Sequence, residues 1–333
     1  MDQPLYPFAL PKAFPRSRRA NRVLAADRLD AAGRKVLRKL FLDMAGHQAG
    51  VLGGTDPQAI HDMRVTVRRM RAALDLFEDF LPSKTVKFQK QSLKKLGGAL
   101  GAVRDIEVML VNARAYQTAL PKSHQPAIMP LLDFFEARRA AARAPLVELL
   151  ESGDFISYLQ ATIVFLGEPA ADGFVPAVPG RPSRVCDLVP ALILERFGMV
   201  RSFEEHVVGL SLEQLHALRG GLKRLRYAVE CFQEPLGPQA RLLMETLKDL
   251  QDHLGKLNDA DVAARTVQAF IQEREDGQPE RAAAGTSSSV PFLTYLTRLL
   301  EQRDELVRTF PGSWSAFNTI DFRQRLSRSV ARL

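Results

Sequence analysis

Eight basic side chains stand at matched spacing in two places along the chain. His61, Arg64, Arg68 and Arg71 follow steps of three, four and three residues, and so do His216, Arg219, Lys223 and Arg226. On a helix turning about 100° per residue, each set shares an arc of roughly 80°. A column of imidazole, guanidinium and ammonium groups is suited to oxyanions. The guanidinium fork meets phosphate or carboxylate oxygens two at a time, and a protonated imidazole adds a further donor. Like charges stacked at this spacing destabilise a free helix. Something must compensate: carboxylates of a facing helix, such as Asp105, Glu107, Asp259 and Asp261, or an anionic ligand.

The elements that carry these columns read as amphipathic helices. Met63, Val67, Met70, Leu74 and Phe77 align with Leu218, Leu222, Leu225, Val229 and Phe232 and form the apolar face beside each basic stripe. Arg69 and Arg224 lie off the stripe. A second matched pair follows, Leu93-Lys94-Lys95-Leu96 to Val108 against Leu247-Lys248-Asp249-Leu250 to Val262. The offsets are 216 − 61 = 155 for the first pair and 247 − 93 = 154 for the second. Order and spacing together indicate a tandem duplication of a helical unit.

Helical periodicity covers about 24–51, 58–81, 84–118, 124–152, 154–166, 185–208, 211–234, 237–273 and 290–310. No alternating strand pattern occurs, so the expected class is all-α. Expected boundaries are a Pro-rich basic tail over 1–24, a first bundle over 25–166, a linker over 167–183 and a second bundle over 184–330. The polar segment 275–289 reads as a loop. The Gly220-Gly221 pair inside the second motif costs helix propensity.

Composition narrows the partner. Of 333 residues, 46 are Lys or Arg and 38 Asp or Glu, giving a net charge of +8 that favours an anionic ligand. Cys186 and Cys231 form no CxxC pair and read as unreactive thiols of a reducing compartment. Apolar runs are too short for a membrane helix, and prolines break the N-terminus where a signal peptide would need a continuous apolar stretch. The cytoplasm is the expected location. Each motif histidine stands alone among cations, which argues against a metal site. No Walker loop or Ser-His-Asp order points to an enzyme. Few aromatics interleave with the stripes, and Tyr227 falls outside the arc on the helical wheel. Nucleic acid is therefore expected only as a weak competitor.

The two HxxRxxx(R/K)RxR helices and the two LG-x-(V/L)-x-D segments resemble the CHAD family, named for a conserved-histidine α-helical domain. The resemblance runs from about residue 25 to 330. It implies the CHAD fold of two pseudosymmetric four-helix bundles, and binding of inorganic polyphosphate in a central basic groove or pore formed by the two repeats. It also implies a place on polyphosphate granules for some members. Carried over residue by residue, the polyphosphate-binding set is His61, Arg64, Arg68, Arg71, His216, Arg219, Lys223 and Arg226, joined by Lys94 and Lys248. No catalytic residue, metal or cofactor is implied. The alternatives that remain are a general polyanion or nucleic-acid binder and a phosphate-processing enzyme. Arg104 stands where the second copy has Asn258, so the symmetry is imperfect at that point.

Overall fold

A computed structural model describes residues 14–54, 56–167, 183–276 and 289–333. The first thirteen residues of the expected tail, nearly all of the expected linker and most of the 275–289 loop lie outside the described residues. The helices are α1 (Leu29–Gly53), α2 (Pro57–Leu76), α3 (Ser83–Ala119), α4 (Met129–Glu151) and α5 (Gly153–Gly167), then α6 (Val185–Arg201), α7 (Leu212–Cys231), the single turn α8 (Gln233–Leu236), α9 (Gln239–Asp276), α10 (Val290–Phe317) and α11 (Ile320–Val330). Among the described residues there is no strand, only an isolated antiparallel bridge between Arg28 and Arg184. The chain is all-α.

Local chemistry explains the ends of the two motif helices. Asp56 accepts a hydrogen bond from the Gln58 N–H at 2.8 Å, and Pro57 occupies the first helical position. On α7, Ser211 Oγ accepts from the Gln214 N–H, and the Gln214 amide oxygen accepts from the Ser211 N–H at 2.8 Å. That reciprocal pair is a capping box. The Gly220-Gly221 pair does not interrupt α7. Gly221 is buried, and a Cβ there would stand 3.5 Å from Val200 of α6, so the glycine sits where the two helices approach closely.

The C-terminal end departs from the expected pattern. Helical periodicity is expected to end at about 310, yet α10 continues through Pro311-Gly312 to Phe317 and a further helix, α11, follows. Phe310, Trp314 and Phe317 are all buried and run in a chain of ring contacts of 4.8–6.4 Å, Phe310 to Trp314, Trp314 to Phe317 and Phe317 to Phe322 of α11. Burying four aromatic rings outweighs the roughly 3 kcal/mol that an internal proline costs a helix. Thr319 then caps α11 by accepting from the Phe322 N–H at 3.1 Å.

Two apolar cores organise these helices, and neither stays within one half of the chain. The larger joins residues of α1, α2, α5, α6, α7, α8 and α11 with the N-terminal halves of α3 and α9 and the C-terminal parts of α4 and α10. The smaller joins the C-terminal halves of α3 and α9 with the N-terminal parts of α4 and α10, and Tyr116 meets Tyr295 there at 4.6 Å between ring centroids. Spanning 37 and 38 residues, α3 and α9 are each about 55 Å long at 1.5 Å per residue and pass through both cores. Residues 14–24 also pack on the larger core. Phe14 lies against Phe41, and the Val23 N–H donates to Glu234 at 2.9 Å.

Phe77 and Phe232, which stand 155 residues apart at matched positions of the two motifs, contact each other edge-on at 5.6 Å. Arg28 and Arg184 form the isolated bridge that ties the start of α1 to the start of α6.

Gly98 on α3 is exposed, and no atom lies within 4 Å of where its Cβ would stand. Gly98→Ala is expected to stabilise the protein by about 1 kcal/mol through helix propensity alone. Thermal melting followed by circular dichroism should show a rise of roughly 2 °C.

Candidate functional site

The two basic columns meet. Helices α2 and α7 cross next to α3 and α9, and the four enclose a cavity of about 540 Å³. From α2 come His61, Arg64, Arg68 and Arg71, and from α7 come Arg219, Lys223, Arg226 and Tyr227. The cavity reaches Val67 of the larger core on one side and Met109 and Ala263 of the smaller core on the other. It therefore lies at the waist between the cores.

Seven of the ten residues expected to bind anion line this cavity. The other three do not. His216 borders a separate hollow with Glu213 and Arg265. That hollow shares Arg219 and Asn258 with the cavity. Lys94 faces an outer groove with Lys87 and Lys90, adjoining the cavity through Arg71. Lys248 points to solvent and pairs with Asp252 at 2.8 Å. The surroundings of the two histidines differ: Arg104 is close enough to His61 to lower its pKa, whereas Asn258 borders the hollow of His216. Lys94→Ala and Lys248→Ala are each expected to change anion affinity less than threefold in a binding titration, as befits exposed cations.

The structure adds wall residues that the motif helices alone did not reveal: Arg104 and Asn112 of α3, and Gln251 and Asn258 of α9. The Gln251 amide nitrogen and the Arg226 Nε are buried without a hydrogen-bond partner. Tyr227 corrects the wheel argument. It is buried, lines the cavity, and its hydroxyl accepts a hydrogen bond from Arg68 Nε at 2.5 Å across the two halves. A helical wheel places side chains relative to their own axis only. Here α2 packs across α7 at Tyr227, so a position outside the arc still points inward. The Arg226 guanidinium stacks over the Tyr227 ring at 5.3 Å.

The charges are only partly balanced. Seven Arg and Lys line the cavity against three carboxylates, Asp105, Asp252 and Asp259. Asp105 pairs with Arg64 at 2.7 Å, and Arg104 pairs with Glu107 at 3.1 Å. Lys248 engages Asp252. The acids one turn beyond the columns are engaged elsewhere, Asp75 by Lys90 and Glu230 by Arg69, which turns away from the cavity. Asp261 holds Arg265 and Arg303 outside it.

This imbalance shows in the titrating groups. Burial first, then Arg219, Arg68, Arg64 and Arg226, pushes the Lys223 ammonium down to about 7. His61 is pushed down by burial and then by Arg104, with Arg68 and Arg64 adding and Asp62 opposing. Arg219 is lowered by burial and by Arg68 and Arg64, with Asp259 opposing. Among the described residues, no group of three or more His, Cys, Asp or Glu is placed to hold a metal ion. No helix among them is long and apolar enough to cross a membrane. Both cysteines are free thiols.

Fold and site together define an all-helical domain with a basic cavity where four helices cross at its waist. The CHAD domain family model matches residues 35–268, and the chain belongs to that family. Among solved structures, it is similar to the CHAD domain from the plant Ricinus communis, with 21% identity, a TM-score of 0.62, and coverage of 92% of this chain and 93% of that one. It is also similar to PptA from Streptomyces chartreusis, with 16% identity, a TM-score of 0.60, and coverage of 90% and 100%. At these identities the likeness is one of fold. Comparison with curated protein sequences found no significant match.

Proposed function

We propose that the waist cavity binds inorganic polyphosphate as a linear chain of phosphates, without turning it over. The observation that carries this reading is the surplus of cations over carboxylates in one cavity walled by both halves of the chain. CHAD domain proteins are in general binding proteins linked to polyphosphate, and family membership supports the same reading. Guanidinium groups on opposite walls grip successive phosphates from two sides, with charge-assisted hydrogen bonds as the main attraction. Binding displaces counterions from the polymer. A surplus of about four cations gives a log–log salt slope of roughly −3, at about 0.7 per phosphate neutralised. Sequence-independent capture of this kind fits a protein that resides in the cytoplasm on polyphosphate granules.

The test is a titration with long-chain polyphosphate at physiological salt, competed by single-stranded DNA and by orthophosphate at matched phosphate concentration. Polyphosphate is expected to bind more tightly by orders of magnitude and to keep its length. Equal competition by DNA would make the chain a general polyanion binder. Shortening of the polymer would reveal a phosphate-processing enzyme.

A further inference from the structure

We propose that Lys223 is a site of acylation by small acyl phosphates, which the surrounding guanidinium groups hold beside its amine; the inference rests on the cavity's capture of phosphate groups. Lys223 lines the cavity half-buried, and among the described residues no hydrogen bond or ion pair engages its ammonium. Arg64 and Arg68 approach it from α2, and Arg219 and Arg226 flank it on its own helix. Further around the wall stand His61 of α2 and Arg104 and Asp105 of α3, and from α9 Asp252 and Asp259. A phosphoryl group bound by the arginines is thus placed next to a nitrogen that no carboxylate holds.

The other lysines with displaced titration behave in the opposite way. Lys90 is pinned by Asp75 and Glu78, and Lys248 by Asp252, and both are raised and kept protonated. Lys223 is lowered to about 7. In the unliganded cavity at neutral pH its free-amine fraction far exceeds that of an ordinary lysine, with a pKa near 10.4. Desolvation beside other cations is an established way to make a lysine nucleophilic. In the step, unprotonated Nζ attacks the acyl carbon. The bond from that carbon to the bridging oxygen breaks, and its electron pair leaves with the phosphate. The surplus proton on nitrogen passes to the leaving phosphate. The products are a neutral amide and orthophosphate, with no change of oxidation state. The amide removes one cation from the wall, so acylation and polyphosphate capture oppose each other.

The experiment treats the full chain with acetyl phosphate at pH 7.5 and follows site occupancy by peptide mass spectrometry. Lys223 is expected to acetylate at least tenfold faster than the exposed Lys84 and Lys87. Short-chain polyphosphate should bring it down to their rate, and an uncharged acetylating reagent should show a smaller preference. Lys223→Gln, which imitates the amide, should weaken polyphosphate binding about tenfold. A Lys223 rate no greater than that of Lys84 and Lys87 would overturn the inference. So would an equal preference with the uncharged reagent. A polyphosphate titration on the same sample keeps the two readings apart. Normal binding with an ordinary Lys223 rate sinks this inference alone. Fast acetylation with no polyphosphate binding sinks the polymer reading and leaves the acyl transfer standing.

Discussion

Replacing Arg68 and Lys223 together by alanine is expected to weaken polyphosphate binding about a hundredfold or more at physiological salt. Each contributes a charge-assisted contact of about 1.5–3 kcal/mol, and the two side chains face the ligand from different halves of the chain. The salt slope should flatten by roughly 1.4, two phosphates' worth. Folding should survive. Neither residue caps a helix, alanine is the better helix former, and the change removes two like charges that oppose each other in the free protein. Circular dichroism should show unchanged helicity and a melting temperature no lower than that of the parent. Arg68 also donates to the Tyr227 hydroxyl, so Tyr227→Phe is the matching control. It removes that contact without removing charge and should cost less than about fivefold. Parental affinity in the double variant would move the binding site away from the waist.

A second large effect is expected from pH, with opposite signs for binding and for stability. Lys223 is held near 7 in the free protein and near 10.4 in the unfolded chain. The unfolded state therefore carries the extra proton between those values. Stability of the free protein from this group should rise as pH climbs from about 7 to 10, and the penalty should be fully present below 7. Binding runs the other way, because a polyphosphate chain draws the proton back onto the amine. Affinity should be highest below about 7 and fall by up to tenfold per pH unit above it. His61, lowered in the same surroundings, adds a shallower rise toward acid. Calorimetry in buffers of different ionisation enthalpy should detect uptake of up to one proton per site at pH 8. Affinity that is flat from pH 6 to 9 would mean that neither Lys223 nor His61 takes up a proton when the ligand binds.

Much of this site is legible from spacing alone, because a helical wheel reports which side chains share a face. His61, Arg64, Arg68 and Arg71 could be grouped without any structure, as could Arg219, Lys223 and Arg226. The wheel does not report which other helix closes over that face. Arg104, Asn112 and Gln251 lie on long helices that serve both cores, and their inward face changes role partway along. That change depends on where α3 and α9 leave one core for the other, which no local pattern encodes. Lys94 and Lys248 show the complementary limit of spacing. Their equivalence in the repeat is legible, but it does not report that each sits outside the cavity, Lys94 in an outer groove and Lys248 beside Asp252. The helical pattern in the sequence fades at about 310, just before Pro311-Gly312, and the tertiary burial of Trp314, Phe317 and Phe322 is what carries the helices on to Val330.

The shared cores have a consequence for how the chain comes apart. Neither α3 nor α9 belongs to one core alone, and each core draws on residues from both sides of the expected linker. A backbone cut between residues 168 and 182 would therefore leave two fragments interlocked at both ends of the molecule. They should migrate as one particle, melt in a single cooperative step and keep the cavity intact. The two halves are joined more firmly by their interlaced packing than by the peptide that connects them.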